Sequence, residues 1–115
     1  SLRNSYQAFE EAGQKIKDGQ NMVIFPEGGI VKTKRRLAKF KNGPFRLAVE
    51  QNVCVIPITF ADNKNIFPES FTKGKPMLAR VTIHKPIENC SSMSIQELKE
   101  KVFNTIEQEL IRYEN

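Results

Sequence analysis

Two short, continuous apolar runs constrain this chain most: Met22-Val23-Ile24-Phe25 and Val53-Cys54-Val55-Ile56-Pro57-Ile58-Thr59-Phe60. Each is too short for a helix, rich in strand formers and without the regular polar alternation of a strand that has one wet face. Both therefore read as buried strands of the parallel type. Pro57 qualifies the second, because a proline donates no ladder hydrogen bond and so implies a strand end, an edge or a bulge.

Helical patterns surround these runs. From Leu2 to Asp18, the residues Leu2, Tyr6, Phe9, Ala12, Gly13 and Ile16 recur at spacings of three and four, and Gly19 supplies a left-handed stop. Asn42-Gly43-Pro44 opens a second helix, with Pro44 at its first position; Phe45, Leu47, Ala48 and Val49 carry it to about Gln51, and Asn52 closes it. Ala61 to Pro76 is polar and irregular, interrupted at Ile66-Phe67 and Phe71. Leu78 to Lys85 alternates Leu78, Val81 and Ile83 against Arg80, Thr82 and His84, the pattern of a half-exposed strand that Pro86 stops. Ser94-Ile95-Gln96-Glu97 is a capping box, and Leu98, Val102, Ile106, Leu110 and Tyr113 continue a helical stripe to the end. This order predicts an α/β fold: a mainly parallel or mixed sheet with helices packed on it. The sheet reads as partial, since three strands with two buried faces leave an edge uncovered.

At 115 residues, with 39% apolar and 27% charged residues, the chain fits one globular domain, residues 1–115. No apolar run reaches the roughly 20 residues that span a bilayer, and Ser1-Leu2-Arg3-Asn4 has no signal-peptide character, so the segment reads as soluble. Cys54 and Cys90 make neither a disulfide framework nor a metal-ligand cluster, which points to a reducing setting. The charge is more telling. Lys32, Lys34, Arg35, Arg36, Lys39 and Lys41 put six cations and no acid into one stretch; they exceed the net charge of +5, so the remainder is close to neutral. Such a patch attracts a phosphorylated small substrate, a nucleic acid, an acidic carrier protein or an anionic membrane, and charge alone does not choose among them.

The order of features on the chain does choose. A buried strand ending in Phe25-Pro26-Glu27-Gly28-Gly29 places a carboxylate and two side-chain-free positions at the strand's C-terminal end, where ligands bind in open α/β sheets. Gly28 and Gly29 let a ligand approach the main chain. Arg35 and Arg36 offer forks for phosphate oxygens, Lys39 and Lys41 point charges, and the helix beginning at Pro44 a set of unpaired N–H groups. Pro-Glu-Gly is also common in ordinary turns, and charge runs also form solvated faces; it is their succession that describes a phosphate pocket.

Phe25-Pro26-Glu27-Gly28, then Phe40-Lys41-Asn42-Gly43-Pro44-Phe45-Arg46-Leu47-Ala48, then Val55-Ile56-Pro57-Ile58 resemble the third and fourth sequence blocks of the lysophosphatidic acid acyltransferase family, a likeness running from about Ser1 to Pro86. The resemblance implies the C-terminal half of a glycerol-3-phosphate acyltransferase-like fold. It implies that Glu27 and Gly28 line the site for the acceptor's glycerol phosphate and that Pro57 helps shape the acyl-donor side. Gly29 and Ile30 stand where the family has threonine and arginine, which leaves Arg35, Arg36 or a nearby lysine, Lys39 or Lys41, to meet the phosphate. The family's catalytic His-x-x-x-x-Asp is absent: the one histidine, His84, is followed five residues later by Asn89 and reads as an ordinary polar-face residue. No catalytic residue is therefore expected here, and the segment alone should be inactive. The implied partners are a lysophospholipid acceptor, acyl-CoA or acyl-carrier protein as donor, and an anionic membrane surface at the cytoplasmic face; no metal or cofactor is implied. The competing reading is a basic module that binds nucleic acid or regulates without catalysing. The basic stretch holds few aromatics beside Phe40, so nucleic acid is not the expected partner.

Overall fold

The computed structural model describes residues 2–29, 35–66 and 76–114. Ile30, Lys32 and Lys34 of the basic stretch, and Phe67 and Phe71 of the irregular stretch, lie outside the described residues.

Helix ends follow local chemistry. Helix α1 spans Leu2–Lys17. It closes as the Asp18-Gly19 pattern predicts: Gly19, at φ 85°, donates to the Ile16 carbonyl at 3.0 Å, and the Gln20 N–H reaches back to Lys15 at 3.1 Å. Helix α2 spans Gly43–Gln51 with Pro44 in its first turn, and Asn52 ends it in the left-handed region at φ 49°. Helix α4 spans Ile95–Glu114. Its capping box forms, with Ser94 Oγ accepting the Glu97 N–H at 3.1 Å.

The sheet departs from expectation. Among the described residues it has two strands, β1 (Ile58–Phe60) and β2 (Val81–Ile83), paired antiparallel with Ile58 opposite Ile83 and Phe60 opposite Val81. It is thus neither mainly parallel nor mixed. The run 53–60 is not one strand either. Val55 makes an isolated antiparallel bridge to Ile87, and Pro57 lies between that bridge and β1, the interruption its missing N–H requires. The run Met22–Phe25 forms no strand and is not buried: Val23 is 80% exposed and Phe25 63%. A strand exists only through a partner's ladder, and apolar character by itself supplies none.

The alternation in β2 is present with its polarity inverted. Directly opposed residues in an antiparallel pair share a face. One face of β1 and β2 carries Phe60, Val81 and Ile83, all exposed, while Thr59 and Thr82 turn inward. Thr82 Oγ1 meets the Tyr113 hydroxyl of α4 at 2.6 Å, and fully buried Thr59 bonds His84 Nε2 at 2.7 Å. Each inward hydroxyl has a partner, which is the condition for burying it cheaply.

The core lies between α2, the 3₁₀ turn Cys90–Ser92 and α4, built from Phe40, Phe45, Ala48, Ile87, Cys90, Leu98 and Val102. Phe40 stacks on Phe45 with centroids 5.9 Å apart and meets Phe103 edge-on at 5.0 Å. Helix α1 packs on α2 through Gly13, where a Cβ would come within 3.3 Å of the Gln51 side chain and 3.7 Å of Leu47. A short helix, α3 (Asn63–Ile66), forms within the stretch whose polar, irregular sequence predicts none. Beside it, Arg80 clasps buried Asp62 three times: backbone N–H at 2.7 Å, Nε at 3.0 Å and Nη2 at 2.8 Å. No helix among the described residues is long and apolar enough to cross a membrane.

Candidate functional site

The Pro-Glu-Gly segment is a tight bend. Gly28 donates its N–H to the Phe25 carbonyl at 3.0 Å, enclosing Pro26 and Glu27, and both Gly28 and Gly29 take positive φ, 80° and 150°. These are conformations that glycine adopts at little cost. The bend is tied to the far side of the basic stretch, because the Lys41 N–H donates to the Pro26 carbonyl at 2.8 Å. Lys41's side chain then crosses the bare α-carbon of Gly28: a Cβ there would fall 2.6 Å from Lys41 Cε and 3.2 Å from Nζ. Pro26, Glu27, Gly28 and Lys41 thus form one cluster.

Within it, Pro26 and Glu27 are half-buried, while Gly28, Gly29 and Lys41 are exposed. Burial pushes the Glu27 carboxyl above the usual carboxylate range, and a hydrogen bond from its own backbone partly opposes the shift. Glu27 therefore takes up a proton more readily than a surface glutamate.

The other predicted cations are held differently. Arg36 Nε bonds both carboxylate oxygens of Glu114, at 2.9 and 3.0 Å, joining the basic stretch to the end of α4. The Arg35 carbonyl accepts a hydrogen bond from Lys64 of α3. Arg35, Arg36, Leu37, Phe103, Glu107 and Glu114 line a groove of about 640 Å³. Its two carboxylates offset its two arginines, so it is not a net cationic cradle. Lys39 is exposed, two residues before Lys41.

Pro57 is buried and has its own set of contacts. Its carbonyl accepts the His84 N–H at 3.0 Å, and it lines a groove of about 430 Å³ with His84, Lys85, Ile87, Lys101 and Thr105. His84, which reads in sequence as an ordinary polar-face residue, is half-buried and spends Nε2 on Thr59, joining the two strands. The sequence reading missed the Asp62 and Arg80 clasp and the seating of Tyr113 between two guanidinium groups, with Arg80 at 4.7 Å and Arg112 at 4.9 Å from its ring centre. No local signal announces partners 18 or 33 residues apart.

An acyltransferase family profile matches residues 1–61, which contain the whole bend and basic stretch. The chain is 35% identical over 89 residues to the chloroplastic 1-acyl-sn-glycerol-3-phosphate acyltransferase of Arabidopsis thaliana, covering 74% of this chain and 24% of that protein. A Brassica napus chloroplastic protein of the same description is also 35% identical, with 25% of its length covered. The chain thus spans about a quarter of the length of these relatives. In three dimensions it resembles the crystal structure of the 1-acyl-sn-glycerophosphate acyltransferase PlsC from Thermotoga maritima, with a TM-score of 0.80 and 24% identity over 93% of this chain and 44% of that one.

Proposed function

Because the chain belongs to the acyltransferase family, we propose that it forms the acceptor side of an enzyme transferring a fatty acyl group from a thioester, acyl-CoA or acyl-carrier protein, to the hydroxyl of a lysophosphatidate. The observation that carries this reading is the cluster at the Pro26 to Gly28 bend, where Lys41 lies across a glycine with no side chain. Gly28 spends its N–H on Phe25 and lies under Lys41, so what the bend offers the phosphate of a glycerol phosphate is the Lys41 ammonium beside the open α-carbon of Gly29. In this reading Pro26, Glu27, Gly28, Gly29 and Lys41 hold the acceptor, and Pro57 belongs to the acyl-donor side. The names of the relatives, acyltransferases acting on 1-acyl-sn-glycerol-3-phosphate, support the same acceptor class.

The chemistry needs a base to take the proton from the acceptor hydroxyl as its oxygen attacks the thioester carbonyl; the ester bond forms, the carbon–sulfur bond breaks and the thiol leaves. The chain's one histidine is bonded to Thr59, so we assign that base to residues beyond these 115. The anionic membrane that would receive the product is a natural partner of the basic stretch.

The test is to titrate the 115-residue chain with sn-glycerol 3-phosphate while following amide resonances of residues 27–29 and 41. Saturable shifts confined to those residues, in the millimolar range usual for a small anion, are expected. Acyl-CoA and lysophosphatidate mixed with this chain alone should give no ester. Absence of shifts at the bend, combined with tight, steeply salt-dependent binding to duplex DNA or RNA, would replace this reading with that of a nucleic-acid module.

A further inference from the structure

The two grooves described above differ in what their charges already do. The one beside the basic stretch sets Arg35 and Arg36 against Glu107 and Glu114, and Arg36 is spent on Glu114. The other, of about 430 Å³, lies between α4 and the chain leaving β2, and sets Lys85 and Lys101 against one carboxylate, Glu88. Neither of these ammonium groups has an ion-pair or hydrogen-bond partner among the described residues, whereas Lys64 is spent on the Arg35 carbonyl and Lys99 on Asn42 at 2.9 Å. The frame that carries them is fixed. Lys101 and Thr105 stand one turn apart on the same face of α4, and the Thr105 hydroxyl donates to the Lys101 carbonyl at 2.7 Å, which leaves the binding of an anion to the lysines. On the other wall, His84 is tied to Pro57 and Thr59, and Ile87 exchanges both main-chain bonds with Val55, at 3.0 and 2.7 Å. Lys85 is held between those two anchors, next to Pro86. The Lys101 charge also reaches inward: burial and then Cys54 push the buried Cys90 thiol up, and Lys101 is among the groups that act against them. Pro57, Pro86 and Ile87 give the groove an apolar side.

An apolar wall beside two free ammonium groups suits an uncharged arm that ends in an anion better than it suits a bare ion or a lipid tail. Phosphopantetheine is such an arm. It carries the thioester in acyl-CoA and in acyl-carrier protein alike; its amides and dimethyl carbon are uncharged, and a phosphate stands at the end away from the sulfur. We infer that this groove binds the phosphate of a phosphopantetheine arm, held by Lys85 and Lys101. The inference rests on the thioester-donor reading above and deepens it, naming the part of the donor that is recognised and the two residues that supply the charge. No residue of the groove belongs to the cluster at Pro26–Gly28, so the phosphates of acceptor and donor are held by separate sets of side chains.

The experiment measures dissociation constants of 4′-phosphopantetheine and of pantetheine, which lacks the phosphate, for the 115-residue chain at low salt, following amide resonances of residues 84–88 and 101–105. The wild type should bind the phosphorylated arm about tenfold more tightly, the factor that corresponds to one charge-assisted contact. K85Q and K101Q should each weaken the phosphorylated arm by about three- to tenfold and leave pantetheine within about twofold. K101R should recover to within about threefold because the charge returns, and K17Q, which removes a charge at the end of α1, should stay within about twofold. Lys85 and Lys101 are exposed, so circular dichroism of every variant should match the wild type. CoA and a holo-acyl-carrier protein, titrated in the same way, identify the source of the arm as the one whose affinity falls in K101Q. No preference of the wild type for the phosphorylated arm, or binding of that arm that neither K85Q nor K101Q weakens, overturns the groove assignment; the acyltransferase reading survives either result if glycerol phosphate still shifts the bend. A chain that binds neither phosphopantetheine nor glycerol phosphate overturns both.

Discussion

Residues 40–102 supply the buried apolar cluster among the described residues, whereas the stretch 2–29 leaves Tyr6, Val23 and Phe25 at 66%, 80% and 63% exposure. The two regions have similar apolar patterning in sequence. They differ in whether that patterning finds a partner. In the later region α2 and α4 present their stripes to one another and close around Phe40, Phe45 and Leu98. In the earlier one α1 packs on α2, with Gly13 against Gln51 and Leu47, but Met22–Phe25 has no ladder. The bend at Pro26–Gly28 sits where the two regions meet, and much of its order comes from the packed one. Phe40 anchors Lys41, and Lys41 holds the bend.

The sharpest way to test this contrast is to remove volume from the packed region. Leu98 is fully buried, so Leu98→Ala should lower unfolding stability by about 2–5 kcal/mol, read from urea or thermal unfolding. A loss below about 1 kcal/mol would mean that the core is far looser than its geometry.

A smaller effect is expected from Asp62→Asn, with a signature in pH. The side-chain hydrogen bonds from Arg80, joined by its backbone N–H, hold the Asp62 carboxyl below the usual carboxylate range. A depressed folded value means the stabilisation is present above the unfolded aspartate pKa of about 3.9 and is lost as pH falls through the lower folded value. The melting temperature of the variant should therefore lie below that of the wild type at neutral pH, and the gap should narrow as the pH falls below the unfolded aspartate value. A gap that stays constant across that window would detach the clasp from the stability of this region.

The smallest expected effect tests the other side of the contrast. Val23→Ser changes a residue that is 80% exposed and should alter stability by no more than about 0.5 kcal/mol. A loss above about 1 kcal/mol would show that the run 22–25 is covered in solution, and the difference between the regions would shrink.

Features set by neighbours in sequence were legible from it. The stop of α1 at Gly19, the proline in the first turn of α2, Asn52 at its end and the Ser94 cap of α4 all took the positions their residue types predict. The bend was legible too, because Pro26 and two glycines dictate their own backbone. Strand reading fared worse. Met22–Phe25 has the composition of a buried strand and the exposure of a surface segment, and the apolar residues of β2 face outward while its threonine is spent on Tyr113.

What the sequence determined by itself was therefore the family, the boundaries of α1, α2 and α4 and the shape of the Pro-Glu-Gly bend, since each depends on short-range sterics and hydrogen bonds or on the order of residues along the chain. Only the tertiary structure decided which cation reaches the bend, which is committed to Glu114, and which face of the two strands is covered. Those outcomes depend on distances between residues as many as 78 positions apart. Such separations are fixed by how the core closes, and no local pattern encodes them.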